Sequence, residues 1–555
     1  MRVRLTWYLL IPILLLSTFL GSVLLTYDAL WFDEWITHFI TNTGVIGADP
    51  DYFGETPVAA MPVCQDFLSH NSHSVIHTLC IAALDNSWPP LFFLMISLWD
   101  FIVGGSYYAD RILALLIGVI GVSLTYRLGS ELIDKKTGII ASVLLGTAVF
   151  FTFYMHEIRG YTLYATIPAI NALLYWRLLK NPDSGKATAW GFFFSIAAML
   201  YTHYVGIAVV FGIGLYHVLQ ERPDNLLAEM RLDEEERSAP VQHWMRITKL
   251  YINGCLTYGL WVAVLIISFI NESSNPRGIG TFSLLWSMVQ GFSNTLWFIS
   301  IPAIALSLIQ FQKREIRFLW IWGLSILGVA IIGNLAADFL FHPRHIVGLM
   351  PAFAILVAVG LVYIGSRSTD LLTWCIVAVW IGAGIFYALS TDFMNNIPQH
   401  IDAVPLSSMN TIEGTAETCG AETDTFVFGW NVPGEEWVQD RIIGYYLYDT
   451  PVAAITVSRI FDDEQVELHP GGLIPEEVAL AGVDARYGYF VDDADRVFLF
   501  WLPDIPIEES MDMMASRLES DGFVRCEFVN RDDLVADIFV RDGEQCETVV
   551  ASCGG

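Results

Sequence analysis

The sequence predicts a mainly α, polytopic membrane body followed by a water-soluble C-terminal domain of α/β or α+β type. Three observations predict it. Of 555 residues, 54% are hydrophobic and only 16% charged, against about 25% charged in average soluble chains. The mean hydropathy is +0.51 although the formal net charge is −29, so the charge must be segregated from the apolar part. Residues 391–555 hold 33 Asp and Glu against 8 Arg and no Lys, a balance of −25, while residues 1–390 balance at −4. The domains are therefore 1–390 and 391–555. So acidic a chain excludes electrostatic nucleic-acid binding, which needs a basic surface to displace phosphate counterions.

Charge-free apolar runs of roughly 17–25 residues are long enough to cross a bilayer as helices. They fall at 5–27, 137–155, 160–176, 250–270, 318–337, 346–366 and 371–391, with 112–126 lengthened by its flanks. The run 187–220 is too long for one crossing, and its interruption Tyr201-Thr202-His203-Tyr204 before Gly206 divides it into two short helices. The run 278–312 begins as an interfacial segment and crosses at 293–312. About eleven crossings result. The first run follows Met1-Arg2-Val3-Arg4 without a small-x-small cleavage site, which favours a signal anchor over a signal peptide.

Lys and Arg set the orientation. With a cytoplasmic N-terminus, seventeen of the twenty-one basic residues before 391 lie inside, among them Lys135, Lys136, Arg246, Lys249, Lys313 and Arg314. Only Arg111, Arg159, Arg277 and Arg344 face outward. The loop 28–106 and the C-terminal domain then lie outside the cell membrane. They carry Cys64, Cys80, Cys419, Cys526, Cys546 and Cys553, where disulfides persist. Cys64 and Cys80 suit one loop closure, the pairing of the last four stays open, and Cys255 and Cys375 read as core residues. In the acidic domain, strands are expected at Thr425–Trp430, Arg441–Tyr448, Val497–Trp501 and Leu534–Val540, and a helix between Pro506 and Gly522. An acidic domain without Lys also suits high salt.

The chemistry-bearing residues collect at the outer face. Trp31-Phe32-Asp33-Glu34-Trp35 places two adjacent carboxylates among aromatics at the membrane surface, costly unless used or paired. One suits a general base while the other orients a substrate or cation; the structural alternative is an N-cap with an acidic first turn. Pro89-Pro90 opens the run Leu91–Trp99, too short to span and so interfacial. Arg111, Arg159 and Arg344 suit an anionic headgroup or phosphate, or else pair with Glu157 or Asp338, or snorkel. His203 reads equally as a ligand and as a structural histidine. His70, His73 and His77 between Cys64 and Cys80 have zinc-compatible spacing, with an exposed disulfide-closed loop as the stronger reading. No metal site is assigned and no cofactor is required, although a divalent cation is compatible with the acidic pair.

Trp31-Phe32-Asp33-Glu34 resembles the aromatic-Asp-Glu signature of GT-C membrane glycosyltransferases, nearest to family 39, the protein O-mannosyltransferase and aminoarabinose-transferase relatives. Pro89-Pro90-Leu91-Phe92-Phe93 is similar to their "PPLYY", Ala109-Asp110-Arg111-Ile112 to "ALRLP", and His156-Glu157-Ile158-Arg159-Gly160-Tyr161 to "QEARMY". Tyr201-Thr202-His203-Tyr204 resembles "YTHY", and Pro343-Arg344-His345 followed by Pro351 resembles "RYLLPLLP". The likeness covers roughly residues 5–365 in order. Trp88 departs from a usual His or Thr, and His345 from a usual Tyr.

The resemblance implies a GT-C fold and sugar transfer from a polyprenyl-phosphate donor to a hydroxyl of a lipid, glycan or protein acceptor, outside the cytoplasmic membrane. It implies Asp33 as base or acceptor-orienting residue, supported by Glu34, and donor phosphate on Arg111, Arg159 and Arg344. His156, Glu157, Tyr161, His203 and His345 complete the pocket. The alternative is a transporter or lipid flippase, which would place ionisable groups near the bilayer midplane in repeated halves. Here they cluster at one face.

Overall fold

The computed structural model describes residues 2–23, 25, 34, 37, 38, 41, 79, 89–259, 261–264, 281–337, 343–390, 406–421, 423–429, 452–456, 483–501, 508–531, 534–541 and 546–553. The chain forms two compact units. One comprises Met1–Leu25, Thr37–Gly44 and Thr56–Asn396; the other comprises Thr26–Ile36, Val45–Glu55 and Ile397–Gly555.

The first unit is helical. Its elements are α1 (Arg2–Ser22), α2 (Leu91–Val103), α3 (Tyr107–Leu132), α4 (Lys135–Gly146), α5 (Val149–Tyr154), α6 (Tyr161–Lys180), α7 (Lys186–Thr202) and α8 (Gly206–Gln220). They continue with α9 (Ala239–Leu256), α10 (Thr281–Phe292), α11 (Trp297–Ser307), α12 (Arg314–Ala337), α13 (Met350–Arg367) and α14 (Asp370–Ala388). Helix starts carry the side chains that satisfy orphan amides. Ser106 caps α3 by accepting from the Ala109 N–H, Asp134 caps α4 from Thr137, and Thr369 caps α14 from Leu372.

Among the described residues four helices are long and apolar enough to cross a membrane: Tyr107–Leu132, Arg314–Leu335, Pro343–Arg367 and Asp370–Ala388. The pair α10–α11, bent by 96° at its break, is apolar and long enough only when its two helices are taken together, as a broken span or a re-entrant pair. α13, with its 3-10 entry Pro343–Leu349, is the central element: 89% of its apolar window is buried, against 28% for α14. Leu371, Val379 and Phe386 of α14 and Ile332 and Leu335 of α12 are correspondingly exposed, which in a multi-pass membrane protein is a lipid-facing surface. Cys375 shares that face and is exposed rather than in the core as expected, while Cys255 is half-buried.

Two apolar runs are built as broken helix pairs. The run 187–220 breaks at His203 into α7 and α8, as its polar interruption predicts. The run 137–155 differs from the single crossing expected: it breaks at Thr147-Ala148 into α4 and α5. The Asn294 side chain bonds to both the Thr147 carbonyl and the Val149 N–H at this break. α3 and α4 cross where Gly129 meets Gly138: a Cβ on Gly129 would sit 3.0 Å from the Gly138 Cα, the close backbone approach that small residues permit in membranes.

The second unit holds a five-stranded mixed sheet of order β2-β1-β3-β5-β4. Its strands are β1 (Asp424–Gly429), β2 (Ala453–Thr456), β3 (Arg496–Trp501), β4 (Phe523–Arg531) and β5 (Leu534–Arg541). β1 pairs in parallel with β2 and β3, and β5 antiparallel with β3 and β4. Three expected strands and the expected helix (now α17, Glu508–Ser520) are present within a residue or two; the fourth, 441–448, lies outside the described residues. α15 (Leu406–Cys419), α16 (Val483–Val491), α18 (Cys546–Ser552), β2 and β4 were not foreseen.

The core of this unit joins Val427, Val497 and Leu499 of the sheet to Met514 and Leu518 of α17 and Phe490 of α16. The four C-terminal cysteines pair Cys419–Cys553 and Cys526–Cys546, closing the chain onto the sheet. Cys64, Cys80, His70, His73 and His77 lie outside the described residues.

Candidate active site

Buried polar side chains gather where helices of the first unit end. The turn His156-Glu157-Ile158-Arg159-Gly160 links α5 to α6, and all of its side chains except the glycine are buried. The Arg159 N–H donates to the Glu157 carbonyl (2.8 Å), folding the turn back on itself. Arg159 Nη1 then donates to Thr37 Oγ1 at 3.1 Å. A charge-assisted bond between two buried groups fixes the guanidinium in one direction.

Arg159 lines a narrow, partly open cleft with Thr37, Pro89, Phe92, Phe93, Gly160, Tyr161, Thr202 and His203. One wall is apolar, supplied by Pro89 and the first turn of α2. The other presents a guanidinium, a phenol, hydroxyls and an imidazole. Such a surface matches a ligand with an anionic head and an apolar body.

His203 stands at the break between α7 and α8 and is 1% exposed. Its ring stacks on Tyr164 at 4.6 Å and 13°. The Val205 N–H donates to its Nδ1 at 3.2 Å, so the neutral ring carries its proton on Nε2. Burial, with Arg344 and Arg159 nearby, pushes its pKa down to about 3. His203 is therefore a neutral hydrogen-bond donor near neutral pH.

Tyr161, at the start of α6, is 1% exposed. The Arg344 guanidinium lies 5.6 Å from its ring centroid, a cation–π contact. His345, also buried, has Nε2 3.5 Å from the Tyr204 hydroxyl, and its ring centroid is 5.5 Å from that of His203. The motifs 156–161, 201–204 and 343–345, distant in sequence, thus meet through Tyr161, His203 and Tyr204.

The remaining sequence-predicted residues are Arg111, Glu34 and Asp33. Arg111, 1% exposed, donates to the Leu25 carbonyl at 2.9 Å and sits over the Tyr107 ring; it is not among the cleft-lining residues. Glu34 is buried at 2% in a helical turn, in a segment belonging to the second unit. Asp33 lies outside the described residues.

Sequence reasoning passed over Thr37, and it read Thr202 only as part of the interruption Tyr201-Thr202-His203-Tyr204. It also missed a second buried cluster. His38 Nδ1 lies 2.6 Å from the Asp110 carboxylate, both essentially unexposed. Asp100, at the end of α2, is pushed up to about 8 by burial and by the neighbouring Asp110. No local pattern joins residues 72 positions apart. Among the described residues no group of three His, Cys, Asp or Glu side chains could hold a metal ion.

No protein-family model matches the chain, and no curated protein does. Among solved structures it is similar to ArnT from Cupriavidus metallidurans bound to undecaprenyl phosphate, at 16% identity over 83% of this chain and 90% of that one, with a TM-score of 0.49. It is similar to the apo oligosaccharyltransferase of Archaeoglobus fulgidus at 11% identity over 88% and 69%, with a TM-score of 0.48. It is also similar to the arabinofuranosyltransferase AftD from Mycobacteria, at 13% identity over 98% and 40%, again with a TM-score of 0.48.

Proposed function

We propose that the chain is a membrane glycosyltransferase of the GT-C type, moving a sugar from a polyprenyl-phosphate carrier to an acceptor hydroxyl on the extracytoplasmic side. The observation that carries the proposal is the cleft around Arg159: a guanidinium held by Thr37, a neutral imidazole donor, and an apolar wall of Pro89, Phe92 and Phe93. A lipid phosphate is an anion attached to an apolar chain, so one ligand satisfies both walls. The motif resemblances stated above point to the same chemistry.

In this reading the acceptor oxygen attacks the anomeric carbon as the bond from that carbon to the phosphate oxygen breaks. Asp33 takes the hydroxyl proton or orients the hydroxyl, with Glu34 supporting it. The departing lipid phosphate gains charge, and a guanidinium fixed before the reaction stabilises that charge without reorganisation. Arg159 has this role and Arg344, over Tyr161, is placed to share it; Arg111 supports the loop entry to α3. Tyr161 and His203 hydrogen-bond the donor headgroup, and His156, Glu157 and His345 hold the surrounding turns. The N-terminus is cytoplasmic and the acidic domain extracytoplasmic.

The test is turnover by the full-length purified chain of a polyprenyl-phosphate-linked sugar, read as released lipid phosphate. Asp33→Asn is expected to lower it by about 10²–10⁴, the usual contribution of a general base, with the melting profile unchanged. Wild-type turnover in that variant removes Asp33 from the mechanism. Solute uptake by proteoliposomes, without sugar transfer from any donor, overturns the glycosyltransferase reading.

A further inference from the structure

The break between α4 and α5 exposes two backbone groups that no helix satisfies. The Thr147 carbonyl has lost its partner, because the Phe151 N–H bonds to Ala148 instead (2.9 Å), and the Val149 N–H opens a helix. Inside a membrane body such groups are costly if left unsatisfied, because lipid offers them no hydrogen bond. One side-chain amide satisfies both. Asn294 Oδ1 accepts from the Val149 N–H at 2.8 Å and its Nδ2 donates to the Thr147 carbonyl at 2.9 Å. The same Nδ2 reaches the Trp380 carbonyl at 3.4 Å, and Trp380 Nε1 donates to Leu144 at 3.2 Å.

Asn294 is fully buried at the 96° corner between α10 and α11, with φ of +50°, a left-handed conformation that Asn tolerates better than other non-glycine residues. Space for this junction requires Gly384: a Cβ there would lie 2.1 Å from the Thr147 oxygen. The residues that face Asn294 are thus Thr147, Val149, Trp380 and Gly384, with the Tyr387 hydroxyl bonded to the adjacent Thr295 at 2.7 Å.

α5 has six residues and runs from this junction directly into the turn that bears Arg159. Its far end is held too, since Thr162 Oγ1 donates to the Tyr154 carbonyl. Phe292, two residues before Asn294, packs on Phe150 with ring centroids 5.4 Å apart. α5 is therefore a short strut fixed at both ends, and its N-terminal fixing comes from the α10–α11 corner.

We infer that Asn294 is a positioning residue, which sets the α4–α5 break and through α5 holds the Arg159 turn against the cleft. The placement of the turn follows from contacts alone; its consequence for lipid-phosphate binding rests on the proposed function.

The experiment compares Asn294→Ala, Asn294→Asp and Thr295→Ala in the full chain, by amide hydrogen exchange and by equilibrium binding of a polyprenyl phosphate. Asn294→Ala should speed exchange across 149–160 while leaving α3 and α13 protected, and weaken binding about tenfold or more. Thr295→Ala loses the Tyr387 bond but not the strut, and should do neither. Asn294→Asp is the conservative rescue. Protonated, its carboxyl accepts from Val149 and donates to Thr147 as the amide does; ionised, it opposes the Thr147 carbonyl. Measured against the wild type at the same pH, Asn294→Asp should bind nearly as well at low pH and fall behind it as pH rises. Unchanged exchange and binding in folded Asn294→Ala, or an Asn294→Asp weaker than the wild type by the same factor at every pH, overturns the inference. If exchange changes as stated but the wild type binds no polyprenyl phosphate, the strut stands and the donor reading falls.

Discussion

The two units bury ionisable side chains for different purposes. In the acidic unit, the buried carboxylates Asp424 and Asp537 are each held by an arginine of a neighbouring strand. Arg496 meets Asp424 through two nitrogens, and Arg525 meets Asp537, with closest distances of 2.6 Å. Each pair joins two neighbouring strands of the sheet, β1 to β3 and β4 to β5. In the helical unit, Arg159, Tyr161 and His203 come from helix ends and converge on a cleft with an apolar wall. A closed pair serves the fold, whereas polar groups converging on an open cleft suit a ligand. The strongly charged region of the chain is thus the less chemically suggestive one.

Breaking a closed pair should cost stability before anything else. Arg496→Ala leaves Asp424 buried without its counter-charge, held only by the Ala421 N–H among the described residues, and is expected to destabilise the acidic unit by about 3–5 kcal/mol, read by urea unfolding. A cost near zero would mean that Asp424 is not held as described. Removing Cys419–Cys553, which closes 134 residues, should cost the same unit about 2–4 kcal/mol, measured on Cys419→Ser/Cys553→Ser. Equal stability with and without the bond would contradict its place in closing the sheet.

A pH-dependent effect is expected where the helical unit buries Asp100 near Asp110 and His38. The raised pKa of Asp100 means that its folded environment favours the protonated acid. That contribution is complete below the ordinary carboxylate range and is lost as pH rises toward about 8. The melting temperature should fall over that interval, and Asp100→Asn should flatten the slope. A slope unchanged in the variant would assign the pH dependence to other groups.

Membrane character and the division of charge were legible because bilayer length and hydrophobicity act locally. The break at His203 was legible because polar residues interrupt the run. The break at Thr147-Ala148 was not, since Asn294, the residue that bonds its backbone, lies 147 residues away. In the acidic unit, the apolar strands β1, β3 and β5 were readable. β4 was hidden by the charged positions Arg525 and Glu527, although Cys526 between them bonds to Cys546. At the site, the motifs carrying Arg159, Tyr161, His203 and Arg344 could be read, but their meeting could not. Thr37, which aims Arg159, had no signal beyond one hydroxyl. His38 and Asp110 became a pair only when folding brought α3 beside the 37–41 segment.

The most direct test of the cleft as the donor site is Arg159 itself, substituted to Ala and to Lys in the full chain and assayed for release of lipid phosphate from a polyprenyl-phosphate-linked sugar. Turnover should fall about 10²–10³ in Arg159→Ala. Lys should not restore it, because a point charge lacks the planar fork held by Thr37, and both variants should melt as the wild type does. Wild-type turnover in Arg159→Ala would contradict the account.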